Sequence, residues 1–511
     1  MLSSLNSLNI QTGLIFEKWN KMAIPKLCGI ENEYGFAIYD ENWKQVEERK
    51  DYIETTYRFV AAYLKQQEAI NYDLSKESRR QSAELEEETE DEALLERMHR
   101  ILLGSLGRKA DGFLVNGGRF YLDGEHPEYS TPECLNPLDL VAYDKASELV
   151  MAEAANLFMN QLAGNKFRLV LRKNNSDGEG HSYGCHLNVL LSRKLVSNRE
   201  NFRYLVTNYL PFQIARMILI GGGKLGSENK RPDCSFQISQ RADFFEKVTS
   251  VNTVENRGIF NLRDEPHGDE KKYFRLHDIS TDSLMCEQAI FLKVALSQVV
   301  LAMIEDRFLN DNLFPENPVE AMNQVSRDLN FKDRILLENG KKLTGLEILR
   351  HYLLKAKEYL INNSLGNEQD MAVDQALELL DQLERDPALT FGKLDWTTAR
   401  IIAESRPDQA KKNLNGFRQI YPAGHYGLWV KRGKIHRLLT DEIIRQAKVS
   451  PPLNTRAYLR GEIIKKFGPS VNFMSWSSIS IGSGNDLKSL DLGNPLLAKQ
   501  ESDMILSDLG S

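Results

Sequence analysis

Cysteine is scarce in this chain: five among 511 residues, at positions 28, 134, 185, 234 and 286. They are odd in number, scattered, and form no C-x-x-C pair, which argues against a disulfide framework and against a zinc ribbon or finger. Long apolar runs are missing too. The richest, Ala295 to Ile304, is far short of the ~18 residues that span a bilayer and implies a short buried helix. The first 21 residues lack a basic start, a compact apolar stretch and a small-residue cleavage site. No secretory signal is therefore read there, and the expected location is the cytoplasm. Positive charge is not in excess: 65 Lys+Arg against 72 Asp+Glu leave a net charge of −7. A general nucleic-acid binder usually carries a basic surface, so that class is excluded along with membrane proteins.

What remains, with 41% hydrophobic and 27% charged residues, is an ordinary globular protein of two to four domains by length. Residues 1–23 are weakly patterned and read as a disordered extension. Cys28 to Tyr39 reads as one strand. Residues 51–110 change character, are rich in helix formers and contain the acidic block 84–92; such a block is usually solvated, and the whole stretch reads as a mobile insertion. Strand-like runs follow at Arg119–Asp123, Phe167–Arg172 and His186–Leu191. A helix is expected after Pro137, another from about Leu284 to Ile304, and a third whose stripe of Val373, Ala376, Leu377, Leu380 and Leu383 stops at Asp386-Pro387. The polar stretch Lys431-Arg432-Gly433-Lys434 marks a boundary before a small C-terminal unit. Strands and helices that do not alternate regularly point to an α+β fold.

Two familiar motifs fail their context. Gly180-His181-Ser182-Tyr183-Gly184 fits the G-x-S-x-G elbow of serine hydrolases, but the strand-like His186–Leu191 follows where that elbow needs a helix. Gly221 to Gly226 contains G-x-G-x-x-G, yet Ser-Glu-Asn-Lys-Arg-Pro follows. That run does not open the helix a dinucleotide site requires.

A better candidate begins at Gly29-Ile30-Glu31-Asn32-Glu33-Tyr34-Gly35. Residues two apart on a strand share a face, roughly 7 Å apart. Buried together, Glu31 and Glu33 would repel and raise each other's pKa unless a hard cation such as Mg²⁺ joined them. The plain alternative is a solvated pair on an edge strand. In Gly118 to Asp123, alternation places Arg119, Tyr121 and Asp123 on one face and Phe120 and Leu122 on the other. Arg119 suits phosphate oxygens, or else pairs with Asp123. Glu125, His126 and Glu128 follow the strand, and Asn261 to His267 with Arg275 and His277 add carboxylates, arginines and histidines. Together these residues suggest a Mg-nucleotide enzyme.

At this point the sequence resembles the family of Pup ligases and Pup deamidases/depupylases, relatives of glutamine synthetase and other carboxylate–amine ligases. The resemblance is carried by residues 29–35, Asn116 to Asp123, His126-Pro127-Glu128-Tyr129-Ser130, Lys173-Asn174-Asn175, Ser182-Tyr183-Gly184, Ser239-Gln240-Arg241, Arg263 to His267, Arg275-Leu276-His277 and Thr455 to Glu462. Three features resemble the deamidase/depupylase branch: the insertion after the first strands, the five positions from Asp123 to Glu128, and the runs Asp381–Pro387 and Pro451–Arg456.

The resemblance implies a glutamine synthetase-like large domain over 24–430, built on a curved, mainly antiparallel sheet. It implies a small domain over 431–511 that completes the nucleotide site. The implied activity is an amidohydrolase, requiring ATP and Mg²⁺, that deamidates the C-terminal glutamine of a Pup-like modifier and cleaves modifier–lysine isopeptides. Expected partners are that modifier, its conjugates and proteasome components. Asp123 would be the catalytic carboxylate. Glu31, Tyr121 and Glu128 would be metal ligands with Glu33 close by, and Arg119, Thr131, Trp476 and Arg456 would meet ATP. His186, Arg263 and Arg275 are further active-site candidates. Two alternatives stand beside this reading: a ligase forming the isopeptide, and an inactive modifier-binding relative. The second is motivated by Leu187, where the family has an acidic residue, by Leu262 in place of a threonine, and by departures across Asp278–Asp282.

Overall fold

The computed structural model describes residues 23–44, 49–67, 69–71, 110–162 and 167–510. Its centre is a seven-stranded sheet in the order Tyr273–Asp278, Cys185–Ser192, Cys28–Glu33, His126–Ser130, Arg119–Asp123, Asp111–Phe113, Ile70–Asn71. Every neighbouring pair is antiparallel. Antiparallel sheets commonly bury one face and leave the other polar, and this one does. Ile30, Leu187 and Val189 on one face join the main core with the helix Glu287–Glu305. Phe120, Leu122 and Tyr129 join a second cluster with the helices Arg49–Gln66 and Pro137–Gln161. The opposite face carries the polar residues considered below.

Local signals account for the framework helices. Asn136 caps Pro137–Gln161 by accepting from the Leu138 backbone N–H at 2.8 Å, with proline in the first turn, an arrangement that satisfies orphan donors. The helix Asn367–Arg385 ends where Pro387 restricts Asp386, which then caps the next turn. The helix Glu287–Glu305 matches the long apolar helix expected from about Leu284 to Ile304 and extends well beyond the apolar run Ala295–Ile304. It is long and apolar enough to cross a membrane, but every residue is buried inside the protein.

Two expectations change here. The strand read over Cys28–Tyr39 is two strands. Tyr34 breaks it, burying its ring and placing its hydroxyl 2.6 Å from Ser147 Oγ. Gly35–Tyr39 then joins a separate sheet with Arg168–Arg172 and Gln419–Tyr421. The region read as one mobile insertion from 51 opens with core structure: Phe59 and Tyr63, in the helix Arg49–Gln66, pack edge-on against Phe120 at 6.1 and 5.5 Å. The acidic block lies outside the described residues, as do residues 1–22.

The glycine run meets its context test as expected. Gly221 to Gly223 lead into the short strand Lys224–Leu225 rather than a helix, and Arg418 donates to the Gly222 and Gly223 carbonyls. Packing also moves the boundary expected at 431. Ile435, Leu439, Ile444 and Ala447 belong to the main core. The separate cluster begins at Leu459 and gathers Ile463, Met474, Trp476 and Ile479 around Phe113. Its frame is the helix Ala457–Phe467 and the three-stranded sheet Val471–Met474, Ser478–Ile481, Lys488–Asp491.

Candidate active site

Strand register builds the site. Glu33 lies opposite Glu128, and Glu128 opposite Tyr121. Neighbouring strands are about 4.8 Å apart, so the three side chains stand in a row, with Asp123 two residues beyond Tyr121 on the same face. Ligand oxygens of Glu33, Asp123 and Glu128 lie within 4.8 Å of one another. Tyr121 Oη donates to Glu128 Oε1 at 2.5 Å, and Ser130 Oγ donates to Tyr121 Oη at 3.2 Å. Glu128 Oε2 is buried with no hydrogen-bond partner. Burial, then the Asp123, Glu33 and Glu31 charges, push the Glu128 carboxyl well above the usual carboxylate range. Burial and Asp123 likewise raise Glu33, and burial with Glu128 raises the Tyr121 phenol. Among the described residues none of the three acids has an ion-pair partner. A cluster of hard oxygen donors with an orphaned buried atom fits a divalent cation of the Mg²⁺ type.

Glu31 faces the same way but has different company. His186 Nδ1 is 3.2 Å from its Oε2, His277 Nε2 is 3.5 Å from the same oxygen, and Arg275 Nη1 is 3.7 Å from Oε1. The two imidazoles meet edge to face at 4.8 Å. Burial alone would raise the Glu31 carboxyl; hydrogen bonding from His186 and His277 and the Arg275 charge override it and hold it well below the usual range. The expectation that Glu31 and Glu33 raise each other is therefore corrected: only Glu33 is raised. Burial and the Arg275 charge push His277 down to about 3. Arg275 is anchored by Asn188 Oδ1 at 2.6 Å and by the Glu265 carbonyl at 2.7 Å.

The two groups meet at Gly184, whose carbonyl accepts from the Glu33 N–H at 3.1 Å. A Cβ at 184 would fall 2.4 Å from both Glu33 Oε1 and His186 Nε2. The run that fits the hydrolase-elbow pattern is thus a turn, as its context implied, and its last glycine makes room for the site.

Beside Glu31 a cleft is lined by Gly29, Thr131, Arg275, His267, Arg456 and Trp476. Thr131 Oγ1 accepts from the Ile30 N–H at 2.9 Å. Arg456 donates to Glu133 at 2.8 Å and to the Leu492 carbonyl at 2.8 Å. Trp476 is both core and cleft wall, packing edge-on against Phe113 at 4.9 Å under the Arg460 guanidinium.

Three sequence readings end differently. Arg119 does not pair with Asp123; its Nε and Nη2 donate to Asp111 at 2.8 and 2.7 Å. Asp123, at the end of its strand, is exposed. Arg263 donates to the Val251 carbonyl at 3.2 Å and lines neither the cleft nor the carboxylate row. Leu187 points into the core, because alternation puts it on the face opposite His186. Its register partner there is Asp278, which accepts from Arg216, Tyr209 and Gln213. The missing acidic residue therefore removes nothing from the polar face. Sequence reasoning did not single out Asp111, Glu133 or Asn188, and had noticed Gly184 and His277 without assigning them a role. The Arg275-x-His277 alternation was the one local signal for that histidine.

The chain matches the Pup-ligase protein family over residues 26–480. It is 34% identical over 473 residues to the depupylase of Acidothermus cellulolyticus, which covers 89% of this chain and 90% of that one. Among solved structures it is similar to the complex of the prokaryotic ubiquitin-like protein Pup with its ligase PafA. That match has a TM-score of 0.77 and 27% identity, over 95% of this chain and 92% of that one. It is also similar to the Pup ligase PafA in complex with ADP, with a TM-score of 0.69 and 29% identity, over 86% and 98% of the two chains. An α+β fold on an antiparallel sheet, with carboxylates gathered on its polar face, is here matched to the class of Pup-modifying enzymes. The chain belongs to the Pup ligase family.

Proposed function

We propose that this chain is the amide-cleaving kind of family member. It deamidates the C-terminal glutamine of a Pup-like modifier and hydrolyses modifier–lysine isopeptides, with ATP and Mg²⁺ as cofactors. The observation that carries this reading is the exposed Asp123 standing against two carboxylates without ion-pair partners among the described residues, half-buried Glu33 and buried Glu128. The depupylase relative, matched over most of its length, supports the same choice.

Glu33 and Glu128 would hold the metal, with Tyr121 bracing Glu128 and Glu31 at its flank. The bound ion would orient phosphate oxygens and offset developing negative charge. Thr131, Arg456 and Trp476 would receive the nucleotide in the cleft, and Arg119 would meet its phosphates. An amide carbon is a poor electrophile, so the reaction needs a placed carboxylate. Ionised Asp123 serves either as nucleophile toward the carbonyl carbon or as the base that takes a proton from attacking water. As nucleophile Asp123 would form an anhydride with the acyl group, which water then hydrolyses to free the carboxylate. As base it would pass the water's proton to the leaving nitrogen. In both cases the carbon–nitrogen bond breaks, ammonia or the lysine amine departs carrying a proton that comes from water, and the modifier keeps a C-terminal carboxylate.

The test is to supply glutamine-terminated modifier and, separately, a modifier–lysine conjugate, each with ATP and Mg²⁺. Ammonia release and conjugate cleavage, without ADP formed in step with product, are expected. Conjugate formation with one ADP per bond would instead establish a ligase, and tight modifier binding without turnover would establish an inactive relative.

A further inference from the structure

The polar face of the sheet continues past the carboxylates. Asp111 opens the strand Asp111–Phe113, with Tyr121 as its register partner. Arg119, one alternation before Tyr121, lays its guanidinium 3.9 Å from the Tyr121 ring centroid. Two of its nitrogens donate in parallel to the two Asp111 oxygens, at 2.8 and 2.7 Å. Tyr121 in turn donates to Glu128 Oε1, the carboxylate whose other oxygen is orphaned. Four side chains thus form one train, from the strand next to the sheet edge to the atom best placed for a cation. Both ends of the ion pair are largely withdrawn from water, with side-chain exposures of 13% for Arg119 and 17% for Asp111.

An arginine side chain left to itself samples many rotamers. Parallel fork bonding sets the plane of its guanidinium, and stacking on a ring fixes its height. We propose that Asp111 is a positioning residue of the nucleotide site. It holds Arg119 flat on Tyr121, in the orientation in which Arg119 meets nucleotide phosphates and Tyr121 braces Glu128.

This rests on the reading above that Arg119 faces the nucleotide, and direct binding separates the two claims. ADP affinity is measured by titration calorimetry with Mg²⁺, alongside ATP-dependent turnover. Asp111→Asn is expected to weaken ADP binding about tenfold and to raise KM for ATP while leaving kcat within a few-fold. Asp111→Glu, which keeps the carboxylate, should recover part of the loss and carries the same test if the asparagine variant does not fold. Arg119→Lys should weaken binding similarly, and the double variant should bind no worse than Arg119→Lys alone, because residues acting through one another are non-additive. Unchanged binding in Asp111→Asn, or additive losses in the double variant, would overturn the assignment. Tighter binding would overturn it too, by making Asp111 a competitor of the phosphates. If the wild-type protein binds no ADP, the functional reading falls and this inference with it.

Discussion

Glu128 and Glu133 are five residues apart, both in the segment that forms and follows the strand His126–Ser130, and the protein treats them oppositely. Glu133 is met by two arginines of the C-terminal unit: Arg456 at 2.8 Å, and Arg460 through both Nη1 and Nη2. Burial opposes its ionisation, but the Arg460 and Arg456 charges pull it down to about 2. Glu128 is more withdrawn still and receives no cation among the described residues, only one phenol, and is raised. An uncompensated buried charge is costly. A fold that supplies cations to one glutamate and withholds them from its neighbour is using the first to join two units. The second is left for something that arrives from outside.

The largest break in that comparison comes from Asp123, the exposed member of the unpaired group. Asp123→Asn keeps volume and removes charge, and amide cleavage should fall by about 10⁴-fold while nucleotide still binds, as measured by turnover and calorimetry on the same preparation. Activity within a few-fold of wild type would remove Asp123 from the chemistry.

Next is Glu128→Gln. It should raise the Mg²⁺ concentration needed for half-maximal activity by about 10- to 100-fold. Without Mg²⁺ its melting temperature should equal or exceed that of wild type, since a repulsive buried charge has been relieved. A marked loss of stability in metal-free buffer would make Glu128 a structural residue like its neighbour.

Glu133→Gln should do the reverse: no change in Mg²⁺ requirement, but a loss of about 3 kcal/mol in stability at neutral pH. The sign is set by the depressed pKa. The unfolded chain binds a proton below its ordinary value of 4.5, and the folded chain only near 2. The wild-type advantage is therefore complete above about pH 4.5 and fades as pH falls toward 2. The gap between the urea midpoints of the two proteins should narrow by about half from pH 7 to pH 3.

Parts of this arrangement were legible in the sequence because they depend on neighbours along the chain. Alternation over Arg119–Asp123 separated the polar from the apolar face, Asn136-Pro137 announced a helix, and Asp386-Pro387 ended one. The pairing of Glu31 was not legible, since His186 and His277 come from strands about 155 and 246 positions away and only register brings them opposite. Glu133 finds Arg456 and Arg460 across more than 300 positions, and no spacing rule reaches that far. The break at Tyr34 depends on a hydroxyl partner in a distant helix. The boundary expected at 431 followed local polarity, whereas apolar residues just beyond it return to the main core.

Gly184 shows how little separates a working site from a silent one. The atoms that an added methyl group would strike, Glu33 Oε1 and His186 Nε2, are the tips of side chains rather than backbone, so the surrounding strands can accommodate it by letting those tips swing away. The damage would then fall on chemistry and spare the architecture. One nucleotide change turns a glycine codon into an alanine codon, and at this position it would disturb both carboxylate groups at once. A descendant of this chain can therefore lose its activity in a single mutational step while keeping its shape, its solubility and its outward resemblance to an active enzyme.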